Sequence, residues 1–132
     1  MRLSHIAIAV KPEEYEDVIK RFKDVLQSEY YEKVLEDQKI KVAILKLENA
    51  TLEIITPTES GSTIDKFLEK RGNGIHHFAL KVESVKDEVN RLKGNGFMFA
   101  VEDMKGAKGG NVAFIHPKST GGFLIELVED EY

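Results

Sequence analysis

Apolar and polar residues alternate in a way that divides the first half of the chain into strand-like and helix-like segments. One segment has apolar residues at helical intervals of three, four, seven and eleven positions, which form a single stripe. The stripe consists of Tyr15, Val18, Ile19, Phe22 and Leu26. The strand-like runs around it are LSHIAIAV, EYYEKVLE, KIKVAILKL and ATLEIITP. The first half therefore predicts the element order β-α-β-β-β.

A short connection leads to a second set of the same elements. Ser62 or Thr63 can cap a short helix that reaches Arg71, and the following Gly-Asn-Gly ends it. The run IHHFALKV then predicts a strand, and SVKDEVNRLKGNG predicts a helix that ends at its own Gly-Asn-Gly. Three further strand-like runs are FMFAVEDM, NVAFIHP and GFLIELVE. The second half therefore repeats the order β-α-β-β-β.

Chemically informative residues repeat nearly in register with these elements. His77 follows His5 by 72 positions, and Glu126 follows Glu53 by 73 positions. Such a repeat indicates two equivalent units, neither of which can bury its sheet alone. We expect an α+β protein of 132 residues in a single domain, with two βαβββ modules at about 1–57 and 74–132.

Composition narrows the function classes. The chain is 42% apolar and 32% charged with a net charge of −4, and it lacks the basic footprint of nucleic-acid binders. No apolar run approaches the length of about 18 residues that a membrane span needs. The first apolar stretch is too short for a signal peptide. Cysteine is absent, so any metal needs nitrogen and oxygen ligands. We expect a cytoplasmic protein.

The repeated histidines and glutamates are candidate metal ligands. Glu126 lies in an apolar strand, where an uncompensated carboxylate would cost several kcal/mol. Small alanines lie beside both His5 and His77 and leave room for a bound molecule. A single strand histidine is usually a hydrogen-bonded core residue, but matching pairs in duplicated strands can converge on one cleft. The hypothesis is a divalent metal held by His5, Glu53, His77 and Glu126. These donors suit cobalt, zinc, nickel, manganese or iron(II).

Other candidates have simpler structural interpretations. His76 alternates with His77 and is expected to pack or to support the site. His116 precedes a proline and either reaches a substrate or caps a turn. The run MKGAKGGN, with Lys105 and Lys108, lacks the spacing of a phosphate-binding loop and predicts a hairpin loop. The run PKSTGG offers donors to an anion, but turn chemistry alone would explain it. The acidic tail 129–132 is expected to be solvated.

Paired H-x-A-x-x-V strands with downstream L-E and I-E strands resemble the vicinal oxygen chelate superfamily. This resemblance implies a U-shaped, curved mixed sheet around a metal cleft. More narrowly, STIDKFLEKRGNGIHHFALKV and GGNVAFIHPKSTGGFLIELVE are similar to the methylmalonyl-CoA epimerase family. The family's ligands correspond to His5, Glu53, His77 and Glu126, although some members have glutamine at the position of Glu53. A general-base glutamate of one branch corresponds to a position near Val42 or Ile44.

The resemblance implies an enzyme that interconverts the epimers of methylmalonyl-CoA. The C2 proton would leave through a metal-stabilised enolate, with Glu126 and Glu53 as acid/base groups. It also implies a small-molecule acyl-CoA substrate and a homodimer. The charge and the short apolar runs noted above predict no nucleic-acid partner and no membrane partner. Glyoxalase I, with the same ligand set, is one alternative. A non-enzymatic resistance protein that sequesters small molecules is another, and an extradiol dioxygenase ranks below both.

Overall fold

The structure is a computed structural model that describes residues 1–106 and 109–130. Its eight strands are β1 Arg2–Ala9, β2 Tyr30–Leu35, β3 Ile40–Lys46, β4 Thr51–Pro57, β5 Gly74–Lys81, β6 Phe99–Lys105, β7 Asn111–Ile115 and β8 Ile125–Val128. Its helices are α1 Tyr15–Leu26, α2 Thr63–Arg71 and α3 Val85–Gly94. Short 3-10 turns span Pro12–Glu14 and Pro117–Ser119. The repeated β-α-β-β-β order and the α+β class are therefore confirmed.

The chain forms two compact units. The C-terminal unit consists of Met1–His5 and His77–Tyr132, and the N-terminal unit of Ile6–His76. The first five residues therefore group with the second half of the chain, and β1 contributes residues to both units. The predicted module boundaries, about 1–57 and 74–132, stay a prediction.

The N-terminal unit is an antiparallel meander covered by α1. Strand β2 pairs with β3, and β3 pairs with β4, both antiparallel. The apolar stripe of α1 packs against this sheet, with Tyr15 and Ile19 buried. Their core also contains Val10, Ala43, Leu45 and Ile54. The apolar residues that recur with a period of about 3.6 in the sequence thus form the buried face of α1.

The C-terminal unit combines parallel and antiparallel pairing. Strand β5 runs parallel to β8, while β7 is antiparallel to both β8 and β6. Helix α3 buries Val85 and Val89 in a core that also contains Val82, Ala113, Ile115 and Leu127. A parallel neighbour for β5 requires a long connection, which α3 and the β6–β7 hairpin supply.

Serines begin the last two helices. Ser62 Oγ accepts the backbone N–H of Asp65 at 3.2 Å, and Ser84 Oγ accepts that of Asp87 at the same distance. Each hydroxyl satisfies one of the amide donors that a helix start leaves without a partner. Gly72 ends α2 with a φ of 73°. Within residues 1–106 and 109–130, no helix has the length and apolar content needed to cross a membrane.

The last strand begins later than the pattern GFLIELVE predicts. Strand β8 starts at Ile125, and Phe123 is 64% exposed instead of buried. Gly121 and Gly122 have φ values of 79° and 105°, so the chain turns here. Thr120 Oγ1 accepts the backbone N–H of Phe123 at 3.2 Å, which fixes the turn. The expectation that the strand includes Phe123 was therefore wrong.

Candidate metal centre

Two imidazoles and one carboxylate converge in the C-terminal unit. His5 lies on β1, His77 on β5 and Glu126 on β8, and their candidate ligand atoms all lie within 4.8 Å of one another. The Nε2 atom of His5 is 3.0 Å from Glu126 Oε1, and that of His77 is 3.4 Å from the same oxygen. Both nitrogens therefore lie close to a single carboxylate oxygen.

Strand register explains how β5 and β8 build this cluster. Ala79 pairs directly with Glu126, so His77, two residues before Ala79, shares its face. On the other side of β8, Phe114 pairs with Glu126. The rings of His77 and Phe114 meet edge to face, with centroids 5.5 Å apart. The small side chain of Ala79 thus leaves space beside Glu126. On the other side of β8, the Phe114 ring restricts the orientation of the His77 imidazole.

Burial makes the cluster electrostatically demanding. His5 is 5% exposed and Glu126 is 9% exposed. Burial alone would raise the pKa of Glu126, because it disfavours the charged carboxylate. The approach of His5 and His77 outweighs this effect and lowers the pKa of Glu126 to about 2. The carboxylate is therefore ionised at neutral pH.

The donor set fits a divalent cation. Glu126 Oε1 is completely buried, and no donor in the described part of the chain meets it with hydrogen-bonding geometry, although two ring nitrogens approach it. A cation placed among these atoms would satisfy the carboxylate and both imidazole lone pairs together. Two nitrogens and one oxygen suit a borderline transition metal such as zinc or cobalt. His5, His77 and Glu126 are thus the residues that would hold the ion.

Glu53 lies in the N-terminal unit and is not part of this group of three. It sits on β4, pairs with Ile44 of β3, and is 6% exposed. Its predicted roles as a ligand and as an acid/base group stay predictions. The positions proposed for a further general base, Val42 and Ile44, are apolar and essentially fully buried, so they supply no such group.

The remaining histidines have structural roles. The His76 ring meets the Phe67 ring of α2 edge to face, with centroids 4.9 Å apart, as a packing residue would. His116 Nδ1 accepts the backbone N–H of Lys118 at 3.1 Å and thereby caps the turn Pro117–Ser119. Of the two alternatives for His116, the structure supports the capping role.

The donors in PKSTGG are also used within the fold. Ser119 Oγ accepts the backbone N–H of Met98 at 2.9 Å. Thr120 Oγ1 donates to Pro117 O at 3.2 Å. Thr120 thus stabilises the turn itself, as the sequence allowed, whereas Ser119 bonds to a residue 21 positions earlier in the chain.

The glycine-rich segment and the acidic tail are only partly described. Between β6 and β7, the Gly106 N–H donates to Gly110 O at 2.8 Å, as in a hairpin loop, while Lys108 lies outside the described residues. In the tail, positions 131 and 132 lie outside them too. The expectation of a solvated tail was wrong for Glu129. Its carboxylate accepts the backbone N–H groups of Val85 at 2.9 Å and Asn111 at 3.1 Å.

Comparison with known proteins places this chain in a family. The model of the Glyoxalase/Bleomycin resistance protein/Dioxygenase superfamily matches residues 4–114. The ethylmalonyl-CoA/methylmalonyl-CoA epimerase of Cereibacter sphaeroides is 36% identical over 130 residues, covering 96% of each protein. The crystal structure of methylmalonyl-CoA epimerase from Mycobacterium tuberculosis has a TM-score of 0.87 and 34% identity, over 96% of this chain and 86% of that one.

The chain belongs to the methylmalonyl-CoA epimerase family. It therefore has the vicinal oxygen chelate fold that the paired H-x-A-x-x-V strands indicated, and it is an enzyme. A Streptomyces coelicolor methylmalonyl-CoA epimerase variant, solved in complex with 2-nitronate-propionyl-CoA, has a TM-score of 0.88 and 27% identity, covering 97% of this chain and 93% of that one. These relatives are epimerases, and none of the three is a glyoxalase I or a resistance protein.

The structure shows two residues beside the candidate metal centre that the sequence did not identify. Sequence reasoning singled out His5, His77 and Glu126 but passed over two neighbours. Ser4, whose hydroxyl contacts His5, was treated only as a strand residue. Phe114, which flanks His77, was treated only as an apolar residue of a strand. The adjacency of Ser4 to His5 was the available signal for the first, and only the β7–β8 register reveals the second.

Proposed function

We propose that this protein is a metal-dependent epimerase that interconverts the (R) and (S) epimers of methylmalonyl-CoA. The observation that carries the proposal is the buried convergence of two imidazole nitrogens and one carboxylate oxygen, from His5, His77 and Glu126. The family supports the reaction class, because relatives that this chain matches over nearly its whole length are named for it.

An acyl-CoA substrate is supported by the Streptomyces complex. Its ligand is 2-nitronate-propionyl-CoA. The nitronate group of this ligand is planar and carries negative charge next to the carbon that corresponds to C2. The enolate of methylmalonyl-CoA is also planar and anionic at this place. The C2 proton of the substrate lies between a thioester and a carboxylate, which makes it acidic enough for removal by a side chain once the enolate charge is stabilised.

The residues have distinct tasks in this reaction. His5 and His77 would hold the ion through Nε2, and the bound ion supplies positive charge for the developing enolate oxygen. Glu126 would also hold the ion, and it is the proposed acid/base group on one face of C2. Inversion needs a second group on the other face of C2, and Glu53, a buried carboxylate, is the proposed partner and the proposed fourth ligand.

Incubating the protein with each epimer in D₂O tests the reaction. We expect deuterium to be incorporated at C2 and the configuration at C2 to invert. NMR would detect the deuterium, and chiral analysis of the thioester would detect the inversion. The Glu126→Gln variant should lose both signals, while Glu102→Gln, at a half-exposed carboxylate paired with Lys93, should keep them. Turnover of the glutathione hemithioacetal without exchange at C2 would instead identify a glyoxalase I.

Elemental analysis of protein purified without chelators tests the metal. We expect about one divalent ion per chain. A chelator should remove the ion and abolish exchange of the C2 proton, and added cobalt or zinc should restore both. Activity that survives complete removal of divalent ions would contradict the metal dependence. A homodimer and a cytoplasmic location stay predictions, and sedimentation and cell fractionation would check them.

A further inference from the structure

Ser4 forms a hydrogen bond with His5, through the ring nitrogen that does not approach Glu126. Its Oγ lies 3.1 Å from Nδ1 of His5, and both residues are buried, at 7% and 5% exposure. The other ring nitrogen, Nε2, lies 3.0 Å from Glu126 Oε1. The two nitrogens of the His5 ring therefore have separate partners, one in the centre and one behind it.

We propose that Ser4 is a positioning residue that fixes the tautomer and ring plane of His5 for metal binding. The inference rests on the proposed function, because it assigns Nε2 of His5 to the ion. A neutral imidazole has one nitrogen with a lone pair and one with a proton. If Nε2 provides the lone pair, Nδ1 carries the proton, and the buried N–H needs an acceptor. Ser4 Oγ is placed to be that acceptor.

A hydroxyl suits this position because it can reverse its role. In the metal-free protein, Nε2–H can face Glu126 while the Ser4 hydroxyl donates to Nδ1. In the loaded protein, Nδ1–H donates to Ser4 Oγ. A hydroxyl can donate and accept, so Ser4 satisfies His5 in both states, whereas an aliphatic side chain would satisfy neither. A buried polar group left without a partner destabilises the state that contains it.

The internal repeat shows that Ser4 is not a duplicated feature. The residue before His77 is His76, and its ring packs against Phe67. The second histidine strand thus has an aromatic packing residue at the position where the first has a buried hydroxyl. The serine therefore belongs to the individual environment of His5.

Metal affinity, measured by competition with a chromophoric chelator, tests the proposal in the full-length protein. We expect Ser4→Ala to weaken zinc and cobalt binding by about 10- to 100-fold, as the loss of a partner behind a metal-bound histidine does. Ser4→Thr keeps a hydroxyl, fits a strand and should restore most of the affinity. The matched control is Ser62→Ala, which removes a buried cap hydroxyl from α2 and should leave affinity unchanged.

A second measurement needs no variant. In zinc-loaded protein labelled with ¹⁵N-histidine, the His5 ring should carry its proton on Nδ1. A proton on Nε2, or Ser4→Ala binding metal as tightly as the unaltered chain, would overturn the proposal. If the unaltered chain bound no divalent ion, the metal dependence under the proposed function would fail instead, so the two failures are distinguishable.

Discussion

Replacing Glu126 by glutamine tests how the buried carboxylate is stabilised. The side chain keeps its size, but it loses the charge that attracts His5 and His77. The pKa of Glu126 is lowered from 4.5 to about 2, and each unit corresponds to about 1.4 kcal/mol. We therefore expect metal-free Glu126→Gln to be less stable by up to about 3 kcal/mol, a large part of the 5–15 kcal/mol that is typical of domains.

The dependence on pH gives this prediction its sign. Because the pKa of Glu126 is lower in the folded chain than in the unfolded chain, its contribution is fully present above about pH 4.5 and is lost as pH falls towards 2. Urea unfolding in the presence of a chelator, at pH 6 and at pH 3, measures it. The difference between the two proteins should fall to less than half at pH 3.

The control for Glu126→Gln is a carboxylate whose ion pair is half exposed. Glu102 Oε1 lies 2.8 Å from Lys93 Nζ, a shorter distance than either contact of Glu126. Because exposed pairs contribute little, Glu102→Gln should cost less than about 0.5 kcal/mol at either pH. Equal stability of Glu126→Gln and the unaltered chain at pH 6 would refute the reasoning that the imidazoles compensate the buried charge.

Substitutions at three further positions test the scaffold by thermal or urea unfolding. Glu129→Gln should cost about 1 kcal/mol at pH 6 and less at pH 3, because the Val85 N–H at the start of α3 lowers the pKa of Glu129; no difference between the two pH values would contradict this. Ser62→Ala should cost about 1 kcal/mol and Ser62→Asp almost nothing, since aspartate also caps helices; equal losses would exclude a capping role. Ile19→Ala should cost about 2–5 kcal/mol and Ile19→Val about 1, and a smaller loss for alanine would show that the core can collapse around the cavity.

Local pattern was sufficient to predict most of the secondary structure. The stripe from Tyr15 to Leu26 matches the limits of α1. The serine and glycine signals correctly predicted the two ends of α2. The same reasoning failed where a loop residue is apolar. Phe123 looks like a strand residue, but two glycines with positive φ place it in a turn before β8. Apolar character alone cannot distinguish an exposed turn residue from a buried strand residue.

The candidate site was predictable only as far as the repeat extends. Nearly equal spacing paired His5 with His77 and Glu53 with Glu126, and the structure brings both histidines together with Glu126. Spacing says nothing about which strands become neighbours. The parallel pairing of β5 with β8, which sets Ala79 opposite Glu126, joins segments separated by α3 and a hairpin. Contacts over such sequence distances depend on the packing of the whole unit.

Duplication and divergence therefore make different contributions to this site. The repeat explains why histidine stands on a first strand and glutamate on a last strand in each half. It does not explain the chemistry of each position, because the neighbours differ. His5 has a serine hydroxyl at Nδ1, whereas His77 has an aromatic ring beside it. Two histidines with the same place in the repeat thus have different means of fixing their rings, and a substitution of Ser4 should affect one of them and leave the other in place.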